Sequence, residues 1–357
     1  MQKNLLERLG ISIPVIQAPM AGGVTTTRLV TEVSDNGGLG MIGAGYMSHE
    51  QLREQVQDIK KLTDKPFGVN LFVPNSHTHT VEVKDMLLLL QKYEKLLGIE
   101  EKHIKLSKFE ETVNAFEKQV DEVLSLGVPI CSFTFGIPPL DIIQKMKEKG
   151  ILLIGTATTV IEAIANEDAG MDAVVVQGSE AGGHRGNFLS TQEEGMIGLM
   201  SLIPQVVDKI QLPVIAAGGI MDGRGIMAAR CLGAQVVQMG TAFLTCEESG
   251  AHATHKQAVL NANPEDISLT RAFSGKWARG VINHFMREMK ERETVIPTFP
   301  IQNLLTQAIR KAAAQQNDRE FMSLWSGQSP TLAKAETVKM LLERVMREVE
   351  QIKRNIY

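Results

Sequence analysis

Three cysteines in 357 residues (Cys131, Cys231 and Cys246) are too few and too scattered for a disulfide framework or a zinc site. Their odd number and apolar surroundings predict buried free thiols in a reducing compartment. Long hydrophobic runs are missing as well: none approaches the roughly 18 residues of a membrane helix. The opening MQKNLLERLG is charged along its length and lacks the apolar centre of a signal peptide, so a cytoplasmic location is expected. There is no cationic excess. Against 37 basic residues stand 41 acidic ones, for a net charge of -4, which argues against nucleic acid as a main partner. No internal repeat, low-complexity stretch or Pro/Ser-rich linker interrupts the chain. What is present is an ordinary globular composition, 43% apolar and 22% charged, long enough for one or two domains.

Eight short apolar runs, each bounded by Gly or Pro, alternate with helix-like segments. They are IPVIQAP, GLGMIG, PFGVNLF, VPICSF, ILLIGT, MDAVVVQG, PVIAAGG and QVVQMGT. Runs of this length, several rich in Val and Ile, are expected of buried parallel strands. Eight of them predict an α/β fold of the (β/α)8 TIM-barrel type over 1–72 and 128–245. A helical insertion is expected at 73–127, after strand 3. Beyond about residue 246 the strand signal fades, which predicts a mainly helical subdomain at 246–357 over the barrel mouth. GLGMIG at 38–43 matches the dinucleotide fingerprint G-x-G-x-x-G. Its glycines run through the apolar segment instead of opening a helix, so it is expected to be strand 2.

In such a barrel the active site lies at the C-terminal strand ends. Those ends are rich in glycines and amides and poor in charge. They offer Met20, Asn70, Ser132, Thr134 and Gln177, then Gly218-Gly219 and finally Gln238-Met239-Gly240-Thr241. The two glycine-bearing turns after the seventh and eighth strands suit a phosphate, and amide side chains suit the edge of a flavin ring. Equally, strand-end glycines permit tight turns with no ligand at all. The sixth strand runs into QGSEAGGHRG, where Gly182-Gly183 allow the backbone to pass close to a flat ligand and His184 is placed beside it. A histidine with an ordinary pKa near 6.5 can accept a proton from an acidic carbon. Glu180 and Arg185 either fix this loop or, for Arg185, attract an anion. The remaining histidines sit in helices or insertions. His77 and His79 have no third ligand nearby, so no metal site is expected.

The sequence resembles the nitronate monooxygenases (formerly 2-nitropropane dioxygenases) along nearly its whole length. The resemblance runs through PVIQAPMAGG, KPFGVNLF, CSFTFG, LIGTATTVIEAIA, VVVQGSEAGGHRG, PVIAAGGIMDGRG, VQMGTAFLTCEES, AFSGKWARG and MSLWSGQSP. It implies FMN as cofactor, contacted by Asn70, Gln177, Gly182, Gly219 and Gln238-Met239-Gly240-Thr241; the strand ends themselves add Met20 and Gly218 to the expected cofactor-binding set. His184 matches the family's catalytic or substrate-orienting histidine. The implied reaction converts alkyl nitronates such as propionate 3-nitronate, with O2, to a carbonyl compound and nitrite, detoxifying nitro compounds. Thr134 stands where some members carry a histidine, which leaves a second active-site histidine and the substrate preference open. Lys276, Arg279 and Trp325 are candidates for closing the pocket, or for plain packing. A homodimer is compatible with the sequence. The alternatives are an FMN-dependent enoyl-acyl-carrier-protein reductase and a flavin-binding protein without turnover.

Overall fold

The computed structural model describes residues 4–75, 83–100 and 109–356. The chain begins with a short helix, Leu5–Leu9, and then builds a barrel. Its strands are β1 (Val15–Gln17), β2 (Gly40–Gly43), β3 (Phe67–Phe72), β4 (Ile130–Thr134), β5 (Leu152–Ala157) and β6 (Ala173–Gln177). A two-residue strand, β7 (Gly183–His184), then leaves the barrel, which resumes with β8 (Val214–Ala217) and β9 (Val236–Met239). The eight barrel strands are parallel, in the order β1-β9-β8-β6-β5-β4-β3-β2. The ring closes between β2 and β1, where Gln17 N donates to Leu39 O at 2.9 Å and Leu39 N to Val15 O at 3.0 Å.

Alternation along each strand separates two apolar layers. In β6, Ala173 and Val175 point into the barrel with Ile16, Met41, Ile154 and Ile215, while Val174 and Val176 face the surrounding helices. Leu5 and Leu9 close the N-terminal end of the same interior. Burying each such side chain is worth roughly 1.5–3 kcal/mol, and the interior is packed solid up to its last layer. There the inward positions turn polar: Asn70, Gln177 and Gln238.

GLGMIG is indeed strand, and its glycines serve packing. A Cβ on Gly40 would lie 2.2 Å from Val30 O, and one on Gly43 would lie 2.6 Å from Met20 C. Helix Thr27–Asp35 and the β1 loop therefore press directly on β2.

The segment after β3 holds two helices that pack on different parts of the molecule. Phe109–Ser125 lays Phe116, Val120 and Val123 on the barrel flank. Val83–Leu96 places Met86, Leu90 and Tyr93 in a second core with Phe273, Phe285 and Phe321. His77, His79 and His103 lie outside the described residues.

Beyond the barrel, two further strands appear where the sequence reading expected mainly helix. β10 (Ile267–Thr270) and β11 (Ala278–Val281) form an antiparallel sheet with β7 in the order β10-β11-β7. ISLT and ARGV carry too little apolar periodicity to announce themselves; distant pairing makes them strands. The last helix, Val338–Ile356, also departs from the expected place over the mouth. Its Val338, Leu341, Leu342, Val345 and Val349 join the barrel-flank core, and Gly223 makes room, since a Cβ there would lie 2.5 Å from Glu348 Cβ. Of the three cysteines expected to be buried, Cys131 and Cys246 are, but Cys231 is exposed at the end of helix Gly223–Cys231. No described helix is long and apolar enough to cross a membrane.

Candidate functional site

The C-terminal strand ends surround a cavity of about 1260 Å³, open mouth included. Nine of the ten residues expected to hold a cofactor line it: Met20, Asn70, Gln177, Gly182, Gly218, Gly219, Gln238, Gly240 and Thr241. His184 joins them. Met239 does not. Alternation along β9 turns it outward, into the core with Val15 and Phe243, while Gln238 faces the cavity.

The amides differ in how far they are already committed. Gln177 holds the histidine loop, its Nε2 donating to His184 O at 3.0 Å and its Oε1 accepting from Gly186 N at 2.8 Å. Asn70 donates to Ser132 Oγ at 2.8 Å and Thr134 Oγ1 at 3.0 Å. Gln238 faces the cavity. The backbone around it is shaped for close approach. Gly218 and Gly219 have φ of 133° and 67°, which disfavour any side chain. A Cβ on Gly182 would sit 2.5 Å from Gly327 N, so the QGSEAGGHRG loop packs directly on the late SGQSP segment. Gly327 N in turn donates to Thr241 Oγ1 at 2.9 Å.

His184 is placed by pairing of β7 with β11, in which it stands opposite Ala278. Arg185 then anchors the loop from below. It is 1% exposed and donates to Gly178 O, Gln177 O and Gly195 O. Glu180 accepts from Leu199 N on both oxygens. Both residues thus fix the loop, and the geometry decides the alternative left open for Arg185. Arg279 is buried and donates to Ser179 O at 3.1 Å, another structural tie.

The His184 imidazole Nε2 lies 2.8 Å from Ser274 Oγ. That hydroxyl also donates to Lys276 O at 3.0 Å and accepts from Lys276 N at 3.3 Å. A hydroxyl has one hydrogen. With it on Lys276 O, Ser274 accepts from His184, which puts the ring proton on Nε2 and the lone pair on Nδ1. Burial above all, then the charges of Lys276 and Arg310, push the His184 pKa down to about 3. The imidazole is therefore neutral over the physiological range.

Aromatic rings crowd round it. Phe135, Phe299 and Trp325 have centroids 6.0, 6.5 and 5.5 Å from the imidazole, and Phe72 packs on Phe135 at 4.6 Å. Trp325 lies against Gly280, whose missing Cβ leaves space for the indole; a Cβ would be 3.0 Å from the ring. Phe135 holds a φ of 73°, a left-handed backbone unusual for an aromatic residue, and Asn75 donates to its carbonyl. A second histidine, His255, also lines the cavity, which its place in a helix had concealed. Its Nε2 lies 2.9 Å from Trp325 O, and a carbonyl only accepts, so that nitrogen carries the proton. Burial brings its pKa down to about 4. Among the described residues no cluster of His, Cys, Asp or Glu could hold a metal ion.

Comparison with known proteins gives one consistent picture. The family model described as nitronate monooxygenase matches residues 3–348. The chain is 53% identical over 353 residues to a probable nitronate monooxygenase of Staphylococcus haemolyticus, covering 98% of this chain and 97% of that one. A probable nitronate monooxygenase of Staphylococcus aureus is 48% identical, with 98% of each chain covered. Among solved structures, nitroalkane oxidase from Streptomyces ansochromogenes superposes with a TM-score of 0.90 at 36% identity, covering 97% of this chain and 98% of its own. FabK from Thermotoga maritima superposes with a TM-score of 0.78 at 29% identity, covering 100% and 99%.

Proposed function

The chain belongs to the nitronate monooxygenase family, and from that premise we propose that it binds FMN in the barrel mouth and oxidises small alkyl nitronates. Propionate 3-nitronate is a representative substrate, O2 the oxidant, and a carbonyl compound and nitrite the products. The observation that carries this reading is His184, a neutral imidazole set among aromatic rings in a cavity that no described carboxylate lines.

The residues fit a phosphorylated flavin. Gly218 and Gly219 leave backbone open at the end of β8, and nothing stands nearer to a Cβ on Gly240 than Ala18 Cβ at 3.6 Å. An anion can approach such backbone closely. Gln238, Asn70 and Thr241 supply hydrogen bonds for the ring edge and the chain between ring and phosphate. When bound, the flavin supplies the two-electron chemistry and the reaction with oxygen.

The protein's part is positioning and charge. An imidazole with a pKa of about 3 is a weak base, far from the operating pH at which a general base works best. It suits a substrate whose α-proton is already gone, and the Nε2–H bond to Ser274 fixes the ring plane against which that substrate lies. Phe72, Phe135, Phe299 and Trp325 keep water from the reacting end and strengthen each polar contact made there.

An anaerobic mixture of flavin-loaded protein with propionate 3-nitronate is expected to bleach the flavin, and admitted oxygen to restore its colour and release nitrite. No bleaching and no nitrite, with steady NADH consumption on an enoyl thioester, would assign the site to enoyl reduction instead. Full flavin occupancy with neither activity would leave a binding protein.

A further inference from the structure

One cation stands beside this cavity with no free anion to match it. Lys276 Nζ lies 4.7 Å over the Phe135 ring and donates to Asn187 O at 3.1 Å. Its backbone brackets Ser274, the residue that holds His184. Among the described residues Lys276 forms no ion pair. The carboxylate that acts on Lys276 is Glu162, and it is saturated. One oxygen accepts from the backbone of Phe188, Leu189 and Ser190, the other from Thr158 N and Oγ1.

We infer that Lys276 gives the cavity a cationic rim that selects the anionic nitronate over its neutral nitroalkane. The inference deepens the proposed function and rests on it. The Lys276 backbone and the imidazole share the Ser274 hydroxyl, and the Lys276 ammonium lies over the Phe135 ring that packs on the imidazole. The walls between are aromatic and carry no mobile dipoles, so the field is screened less than it would be in water. Lys276 itself is brought down to about 8, first of all by burial, with Glu162 opposing the shift and Arg185 adding to it. An anion in the cavity supplies the counter-charge that Lys276 lacks. A neutral nitroalkane leaves it unmatched.

The test compares flavin-loaded wild type with Lys276→Met and Lys276→Arg. The quantity read is the ratio of kcat/KM for a nitronate to that for its parent nitroalkane. If the nitroalkane is not turned over, its Ki against nitronate oxidation takes the place of its kcat/KM. Lys276→Met is expected to lower the ratio on the order of tenfold, as for loss of one charge-assisted contact, and Lys276→Arg to restore most of it. A ratio unchanged within about twofold overturns the inference. So does an unchanged ratio accompanied by a shifted flavin reduction potential, which would mean that the charge serves the cofactor. Should Lys276→Met fail to fold, nitrate titrated into the wild-type holoenzyme decides. Competition with nitronate and a perturbed flavin spectrum support the rim; no binding of nitrate overturns it. Absence of nitrite from every nitronate would sink the proposed activity, yet the nitrate titration still reads the rim separately.

Discussion

His184 Nε2 and Ser274 Oγ are 2.8 Å apart, and the same hydroxyl closes a turn on the Lys276 backbone. One serine thus fixes both the ring's orientation and the loop that carries the nearby cation. Ser274→Ala is expected to keep bound flavin and to lower kcat on nitronate about fivefold, the equivalent of one ordinary hydrogen bond of roughly 1 kcal/mol. Steady-state kinetics with the flavin spectrum as a loading control checks this.

His184→Asn separates binding from proton removal. Flavin content should match wild type, while activity on neutral nitroalkanes falls further than activity on nitronates, because only the former need a base. Parallel losses on both substrates would count against a base role.

The two cavity histidines make stability depend on pH. Burial depresses both, His184 to about 3 and His255 to about 4, from an ordinary 6.5. Below about 6.5 the unfolded chain takes up protons that the folded one refuses, so stability is complete above that value and falls as pH drops toward 4. Thermal melts across that window should show a shallower acid loss in His255→Asn, whose depressed group is gone, than in wild type. Identical slopes would show that His255 titrates normally.

Arg185 is the loop's anchor. Arg185→Met removes the hydrogen bonds to Gly178 O, Gln177 O and Gly195 O; Gly178 O keeps Ala181 N at 3.2 Å, and each carbonyl left unsatisfied costs about 1–3 kcal/mol. A clear drop in Tm together with weaker flavin retention is expected, measured by calorimetry and by absorbance after gel filtration. A melt within a degree of wild type would mean that the loop holds itself.

Gly182→Ala tests the packing of that loop on the late segment. The added Cβ would meet Gly327 N at 2.5 Å, so either the loop or residues 326–327 must move. Faster flavin release at nearly unchanged global stability is the expected signature, read by fluorescence of the freed cofactor.

Much of the molecule was legible in its residues. Eight apolar runs bounded by Gly and Pro set the eight strands, because parallel strands buried on both faces need such runs. Strand-end chemistry set the cavity's lining, because side-chain alternation and barrel geometry carry strand ends to one mouth. The same alternation turned Met239 the other way, a distinction that a contiguous motif does not make. The aromatic wall was less legible. Only 17 of 357 residues are Phe, Trp or Tyr. Phe72, Phe135, Phe299 and Trp325 come from four distant segments that no local pattern connects.

Local sequence by itself determined what is local or periodic: the strands, the barrel they close, the glycine turns and the placing of His184 at an active end. Only tertiary structure decided what depends on distant neighbours. It made strands of ISLT and ARGV, set the last helix on the barrel flank and turned Arg185 into an anchor. It also brought Ser274 and Lys276 to one imidazole. Proton position, charge balance and burial are properties of groups that meet in space, and the chain order does not record those meetings.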